Sequence, residues 1–203
     1  MSNFLVLDSI KQGTDEWRTW RRKVIGSSDA ATIMGENPWS EIGYLAQEKM
    51  GLVKEFKGNA ATREGQALEG LARAKASEYL GLKFDATIIQ DSNYPYLAAS
   101  LDGISEDYSS ILEIKSGVKS HSYTAKTGQI PDYYYAQLQH MLMISDFESL
   151  YYVSFRPSEK LIVLEVGRDQ GYIDILLDKE LEFVKLLKKR GHNMQDKLLG
   201  KEI

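Results

Sequence analysis

Ser100-Leu101-Asp102-Gly103 and, shortly after it, Ile111-Leu112-Glu113-Ile114-Lys115-Ser116 are the segments on which the fold turns. The second is a short β-prone run, apolar at Ile111, Leu112 and Ile114, that nevertheless carries Glu113 and Lys115 two residues apart. Alternate residues of a strand project from one face, so this carboxylate and this ammonium stand side by side while Ile114 turns away and still offers its carbonyl. Charges on so apolar a strand are costly to desolvate unless they are paired or bound to a metal. Two readings follow from the residues alone. In one, Asp102 and Glu113 on neighbouring strands hold a divalent cation with Lys115 beside it. In the other, Glu113 and Lys115 form an ion pair on a solvated face and Asp102-Gly103 is a turn.

Working outward, Phe84–Gln90 and Tyr96–Ser100 are strand-like runs parted by Asn93-Tyr94-Pro95, and with Ile111–Lys115 they make a three-stranded meander. Upstream, Thr14 caps a short helix with an acidic first turn and a basic end, reaching Lys23. Gly26-Ser27-Ser28-Asp29 caps another that stops at Gly35, Ser40–Lys49 is a third, and Ala60–Leu80 is a long helix ended by Gly81. Downstream, Pro131 opens a helix to about Ser145, Leu150–Phe155 and Leu161–Val166 pair as strands, and Asp169–Arg190 is a last long helix. This order predicts a mixed sheet flanked by helices, an α/β or α+β architecture, in one domain spanning 1–203. Its helical part covers about 1–82 and its sheet and later helices about 83–190; the tail 191–203 is expected to be loosely ordered.

Composition narrows the chemistry. The 203 residues contain no cysteine, which excludes disulfides, Cys-bound zinc, iron–sulfur clusters and a thiol nucleophile. His121, His140 and His192 are too scattered for a histidine zinc site, so any metal leans on carboxylates and backbone oxygens, the ligands of magnesium, manganese or calcium. No stretch is long and apolar enough for a membrane span and the N-terminus lacks a signal-peptide pattern, which points to the cytoplasm. A net charge of −4 argues against indiscriminate polyanion binding and leaves local basic patches to decide. The absence of a Gly-x-x-x-x-Gly-Lys loop agrees with chemistry that needs no ATP.

Five ordered blocks carry a resemblance: Trp17 to Arg21 with Ile25-Gly26-Ser27-Ser28-Asp29-Ala30-Ala31, then Gly65-Gln66-Ala67-Leu68-Glu69, Ser100 to Gly103, Glu113-Ile114-Lys115, and Tyr134-Tyr135-Ala136-Gln137-Leu138-Gln139-His140. Across about Trp17 to Pro157 the chain resembles the PD-(D/E)xK nuclease superfamily, within it the lambda-exonuclease and YqaJ-like viral recombinases. Leu101 stands where the superfamily pattern has proline. The resemblance implies a restriction-endonuclease-like core, with Asp102, Glu113 and the Ile114 carbonyl as ligands of one or two Mg²⁺ ions, Mn²⁺ being a possible substitute. It further implies Lys115 as catalytic lysine, Glu69 as an added acidic ligand, direct or through water, and Gln137 as a positioning group for water or phosphate. His140 is expected to give structural support. Arg21, Ser28 and Ser100 match a pocket for a DNA 5′-phosphate; Gly26 stands where the lambda enzyme has threonine, leaving its N–H as a donor.

The implied activity is an ATP-independent 5′→3′ exonuclease on double-stranded DNA ends that leaves a 3′ single strand. The implied setting is a phage or prophage in a bacterial host, with a homotrimeric ring and a single-strand annealing protein as partner. The alternatives are an endonuclease or repair nuclease on the same core and a non-catalytic DNA-end-binding or assembly protein. Arg18, Arg22, Lys23, Lys119 and Lys126 are candidates for the duplex path. Trp20, Trp39, Tyr123, Tyr133 and Tyr134 are candidates for stacking on unpaired bases, with no choice among them.

Overall fold

The computed structural model describes residues 3–54 and 58–201, so Met1, Ser2 and the last two residues of the tail lie outside the described residues. Among the described residues seven strands form one mixed sheet: β1 (Phe4–Val6), β2 (Ile25–Gly26), β3 (Phe84–Asp91), β4 (Leu97–Ser105), β5 (Ile111–Lys115), β6 (Ser149–Ser154) and β7 (Ile162–Gly167). Their order is β1-β3-β4-β5-β6-β7, with β2 paired in parallel to β4. The β3-β4-β5 meander is antiparallel, while β5 and β6 are parallel, which requires the crossover through the helices between them.

The helices are α1 (Asp15–Arg21), α2 (Ala30–Met34), α3 (Ile42–Lys49), α4 (Ala60–Leu80), α5 (Val118–Thr127), α6 (Tyr135–Ser145) and α7 (Gln170–Lys189). Their ends follow the sequence signals. The Thr14 hydroxyl accepts the Trp17 N–H at 3.2 Å, Asn59 Oδ1 accepts the Thr62 N–H at 3.0 Å, and Gly35 and Gly81 close α2 and α4 in the left-handed region at φ 78° and 68°. One face of the sheet packs on α6 and α7 through Leu101, Ile111, Leu138, Leu142 and Phe183. The other packs on α4 through Ala72, Ala76, Leu112 and Ile114. Helix α6 is buried nearly all round because it lies between sheet and α7.

Five features depart from the sequence reading. β1 and β2 place two strands in the supposedly helical first part, and α5 fills a stretch left unassigned. The segment after Pro131 begins as a 3-10 turn, Asp132–Tyr134, before α6. The tail is held: buried Gln90 donates to the Pro95 and Lys197 carbonyls and accepts the Leu199 N–H, Lys201 pairs with Val6, and Met194 is buried. A buried amide must be satisfied, and here the tail's backbone satisfies it. Finally, β4 does not stop at Ser100 but runs on to Ser105, so Asp102-Gly103 is strand and not turn.

That extension contains the irregularity that positions the site. Asp85 pairs with Ile104 and Thr87 with Leu101, so Ala86 alone opposes both Asp102 and Gly103, a β-bulge that turns the Asp102 side chain out of the regular alternation. The other edge of β4 is paired only near its ends, with β2 at Leu97 and Ala98 and with β5 at Gly103 and Ile104. Between these pairings the edge from residue 99 to 102 is open, flanked by the Ser27-Ser28 turn on one side and by Glu113-Ile114-Lys115 on the other.

Candidate active site

The open edge is where the predicted carboxylates meet. Asp102 Oδ2 accepts the Ile114 N–H at 2.8 Å, a side chain completing a ladder that the strands no longer make. The Lys115 carbonyl accepts the Phe155 N–H toward β6, and successive strand carbonyls point to opposite edges, so the Ile114 carbonyl faces the gap beside Asp102. Glu113 is buried, and its Oε1 accepts from Lys115 Nζ at 2.7 Å and from Gln137 Nε2 at 2.6 Å. Lys115 Nζ also donates to Gln137 Oε1 at 3.1 Å and lies 4.6 Å from the centre of the Tyr134 ring. Gln137 thus projects from the first turn of α6 onto both charged groups of β5.

The electrostatics are those of an acidic site short of positive charge. Burial first, and then the charge of Asp102, push the Glu113 carboxyl up to about 8 despite Lys115 beside it. Burial raises Asp102 as well, against the pull of Lys115 and the Ile114 N–H. For Lys115 burial works the other way, but Glu113, Tyr134 and Asp102 outweigh it and hold the ammonium above its usual range. The lysine is therefore a cation at neutral pH.

Glu69 lies nearby but outside this bond network. It is half-buried on α4 and raised by burial and by Asp102, and its carboxylate is turned onto Arg73, one helical turn on. The Arg73 guanidinium also donates to the Asp102 carbonyl and so ties α4 to the bulge. Among the described residues no three carboxylate or histidine side chains form a ready metal cage. What fits a hard divalent cation is the donor chemistry: two mutually repelling carboxylates, Asp102 and Glu113, with the Ile114 carbonyl facing the gap beside Asp102.

The second predicted group adjoins the first. Arg21, Ser28, Ser100, Asp102, Glu113 and Gln137 line a single cavity of about 150 Å³. Arg21 donates to the Ser28 hydroxyl at 2.5 Å and stands 5.0 Å from the centre of the Trp17 ring, whose indole N–H reaches Ser100 Oγ at 3.1 Å. Ser28 is consequently not a helix cap. The Gly26 N–H is not available to a ligand either, because Asp29 Oδ2 takes it at 2.8 Å. A wider groove of about 1060 Å³ continues from Trp17 and Arg21 past Arg18 and Gln66 to Glu69.

Of the remaining candidates, Arg18 lines that groove while Lys119 and Lys126 are exposed on α5. Arg22 and Lys23 give their carbonyls to His192 and Gln195 and so anchor the tail. Trp20 is core, and Tyr123 is exposed on α5. Trp39, 75% exposed, meets Tyr133 edge-on at 4.7 Å, and Tyr133 meets Tyr134 at 4.5 Å, giving an aromatic chain from the surface to Lys115. His140 is structural: fully buried, it bonds the Ala98 carbonyl at 3.1 Å and Glu180 at 2.7 Å, tying α6 and α7 to β4. Sequence reasoning passed over Arg73 and Lys49. The first is readable as the i+4 partner of Glu69; nothing local marks the second.

Residues 16–148 match the family model of the YqaJ-like viral recombinase domain. The protein YqaJ of Bacillus subtilis is 29% identical over 174 residues, covering 83% of this chain and 54% of YqaJ. Protein D345L of African swine fever virus is 31% identical over 107 residues, 49% of this chain and 30% of that protein. The chain thus spans about half, or less, of these relatives' lengths. Among solved structures, the alkaline exonuclease LHK-Exo of Laribacter hongkongensis superposes with a TM-score of 0.76 at 23% identity, covering 87% of this chain and 94% of that one; another structure of it holds dAMP. A phage-related exonuclease of Haemophilus somnus superposes at 0.55 with 17% identity over 82% and 92% of the two chains. These likenesses establish the fold.

Proposed function

Because the chain belongs to the YqaJ-like viral recombinase domain family, we propose that it is a metal-dependent, ATP-independent 5′→3′ exonuclease acting on the ends of double-stranded DNA. The observation that carries this reading is the single cavity in which Arg21, Ser28 and Ser100 adjoin Asp102, Glu113 and Gln137. An anion pocket beside an acidic centre suits a strand whose terminal phosphate is held while the next linkage is cut. The fold shared with two exonucleases, one of them also solved with dAMP, agrees with it.

In this reading Asp102, Glu113 and the Ile114 carbonyl hold one or two Mg²⁺ ions, or Mn²⁺, and Glu69 joins directly or through water once released from Arg73. A bound divalent cation polarises the phosphodiester and lowers the pKa of water. The protein's own groups do the rest. Lys115, as an ammonium, orients the attacking water and offsets charge growing on the phosphate, and its raised pKa favours that role over taking the water's proton. Gln137 fixes Glu113 and Lys115 relative to each other. Water adds to phosphorus and gives up a proton to solvent, the bond to the 3′ oxygen breaks and that oxygen takes a proton from solvent, and a 5′-mononucleotide with a free 3′-hydroxyl leaves while the shortened strand keeps a new 5′-phosphate and the opposite strand remains as a 3′ overhang.

A homotrimeric ring around the duplex, hand-over of the overhang to a single-strand annealing protein, and action in the cytoplasm of a phage-bearing bacterium belong to the same proposal. A net charge of −4 suits a ring whose basic groups face inward. No described helix is long and apolar enough to cross a membrane. Linear duplex with and without a 5′-phosphate, incubated with Mg²⁺ beside covalently closed circular DNA, tests the reading. Linear DNA is expected to be degraded to mononucleotides, phosphorylated ends first. Cutting of the circle would establish an endonuclease instead, and an inert protein that still binds ends would establish a non-catalytic role.

A further inference from the structure

Lys49, near the C-terminal end of α3, is a buried lysine with all three ammonium hydrogens engaged. It donates to the Arg21 carbonyl at 3.1 Å, to the Val24 carbonyl at 2.8 Å and to Asp29 Oδ2 at 2.5 Å. Lysine is rarely buried without a partner that requires it, and here the partner is Asp29, itself buried. The same Asp29 oxygen accepts the Gly26 N–H and so pins β2 where it meets the Ser27-Ser28 turn. This places a carboxylate directly beneath an anion pocket. A methyl group at position 26 would lie 3.7 Å from Asp29 Oδ2 and 4.0 Å from Arg21 Nε, so acid and guanidinium flank one glycine. Burial opposes ionisation of Asp29, but Lys49 and then Arg21 overcome it and hold the carboxyl below its usual range.

A permanent anion beside Arg21 competes with any phosphate for that guanidinium. We propose that Lys49 is a positioning residue for DNA-end recognition: it neutralises Asp29 and fixes the Arg21 and Val24 carbonyls, which keeps the Arg21 guanidinium free to bind a terminal phosphate monoester. This rests on the reading of Arg21, Ser28 and Ser100 as the end-phosphate pocket. Without the ammonium, Asp29 draws Arg21 down onto itself, and the pocket loses its main charge although every group that would touch the phosphate is still present. Lys49 acts from outside the cavity, which its side chain does not line.

The experiment compares kcat/KM on linear duplex bearing a 5′-phosphate with that on the same duplex bearing a 5′-hydroxyl, for the full chain and its variants. Lys49→Met is expected to lower the phosphate preference about tenfold, the scale of one charge-assisted hydrogen bond, chiefly through KM. Asp29→Asn, which removes the competing anion and can still accept the Gly26 N–H, is expected to keep or increase the preference. Opposite signs at two residues of one ion pair are not what a merely structural contact gives. Preference within twofold of the parent in Lys49→Met, or a fall in Asp29→Asn as large as in Lys49→Met, overturns the assignment. Should Lys49→Met not fold, the charge-neutral double variant Lys49→Met/Asp29→Asn decides: parental preference supports it and lost preference overturns it. Arg21→Ala separates the two levels. If it leaves the preference unchanged, the pocket itself is misread; if it abolishes the preference while Lys49→Met does not, only the role of Lys49 fails.

Discussion

Gly103→Ala is the substitution that best tests how the sheet builds the site. A β-carbon at position 103 would lie 2.9 Å from the Phe84 β-carbon and 3.2 Å from the Leu112 β-carbon, on the two strands that flank β4. Neither neighbour can give way by turning a flexible side-chain end, since both atoms are fixed to their own backbones. Ordinary carbon contacts near 3.5–4.0 Å require β4 to shift by roughly half an ångström or more at its bulge. Overpacking of this kind costs about 1–3 kcal/mol, or about 2–4 °C of melting temperature per kcal/mol in a domain of this size. The activity loss should be larger than the stability loss suggests, because Asp102 adjoins Gly103 and is held by a 2.8 Å bond to the Ile114 N–H. Misplacement of a reacting group by an ångström can cost about 10²-fold in rate. Urea unfolding gives the first quantity and mononucleotide release from linear duplex in Mg²⁺ the second. A variant that unfolds at the parental urea midpoint and keeps parental turnover would refute both the tight packing at the bulge and its link to the site.

Three further outcomes follow from the same geometry. Lys115→Ala should reduce hydrolysis by at least about 10³-fold, the scale of losing a preorganised charge at the transition state, while duplex-end binding measured by fluorescence anisotropy stays within a few fold; residual turnover near the parent would remove Lys115 from the reaction. Glu180→Ala leaves His140 buried without its acid, and loss of one partner of a buried pair costs about 3–5 kcal/mol, to be read from urea unfolding; a change under 1 kcal/mol would show that the pair carries no structural weight. In EDTA the fold should lose stability as pH rises from the ordinary glutamate range through about 8, because across that window the folded protein keeps a proton on Glu113 that the unfolded chain has released. Glu113→Gln should flatten that slope and Mg²⁺ should restore stability to the parent at high pH; a parent slope equal to that of the variant would contradict the raised carboxyl.

The parts legible in the sequence are those whose signals are local. Thr14, Gly35 and Gly81 mark helix ends because capping and left-handed closure depend on neighbouring residues alone. The spacing of Glu113 and Lys115 put both on one strand face, and they do touch there. What could not be read depends on pairing across the chain. Phe4–Val6 is too short to announce itself as a strand and exists because β3 and Lys201 pair with it. Asp102-Gly103 looks like a turn by composition, yet its backbone is claimed by β3 and β5 and its carboxylate by Ile114. Lys49 resembles any lysine near a helix end, and only the fold brings it to Asp29. Even the anticipated Gly26 donor was lost to a side chain three residues on, a local bond that competes with ligand binding.

The two halves of the cavity use one device with opposite outcomes. In each, a lysine stands against a buried carboxylate: Lys115 against Glu113 and Lys49 against Asp29. At Asp29 the compensation is complete, since bonds from Lys49 and the Gly26 N–H, together with the nearby charge of Arg21, leave the acid ionised. At Glu113 it falls short, because Asp102 adds a second negative charge that one ammonium cannot balance. A fully compensated acid can stabilise a loop that binds an anion; an under-compensated pair takes up a proton or a further cation. Under the proposed function the burial of both acids has a direction: the one cavity at the open edge between β2 and β5 has spare positive charge at Arg21 and spare negative charge at Asp102 and Glu113, so a DNA end with its terminal phosphate at the first would present its next linkage toward the second.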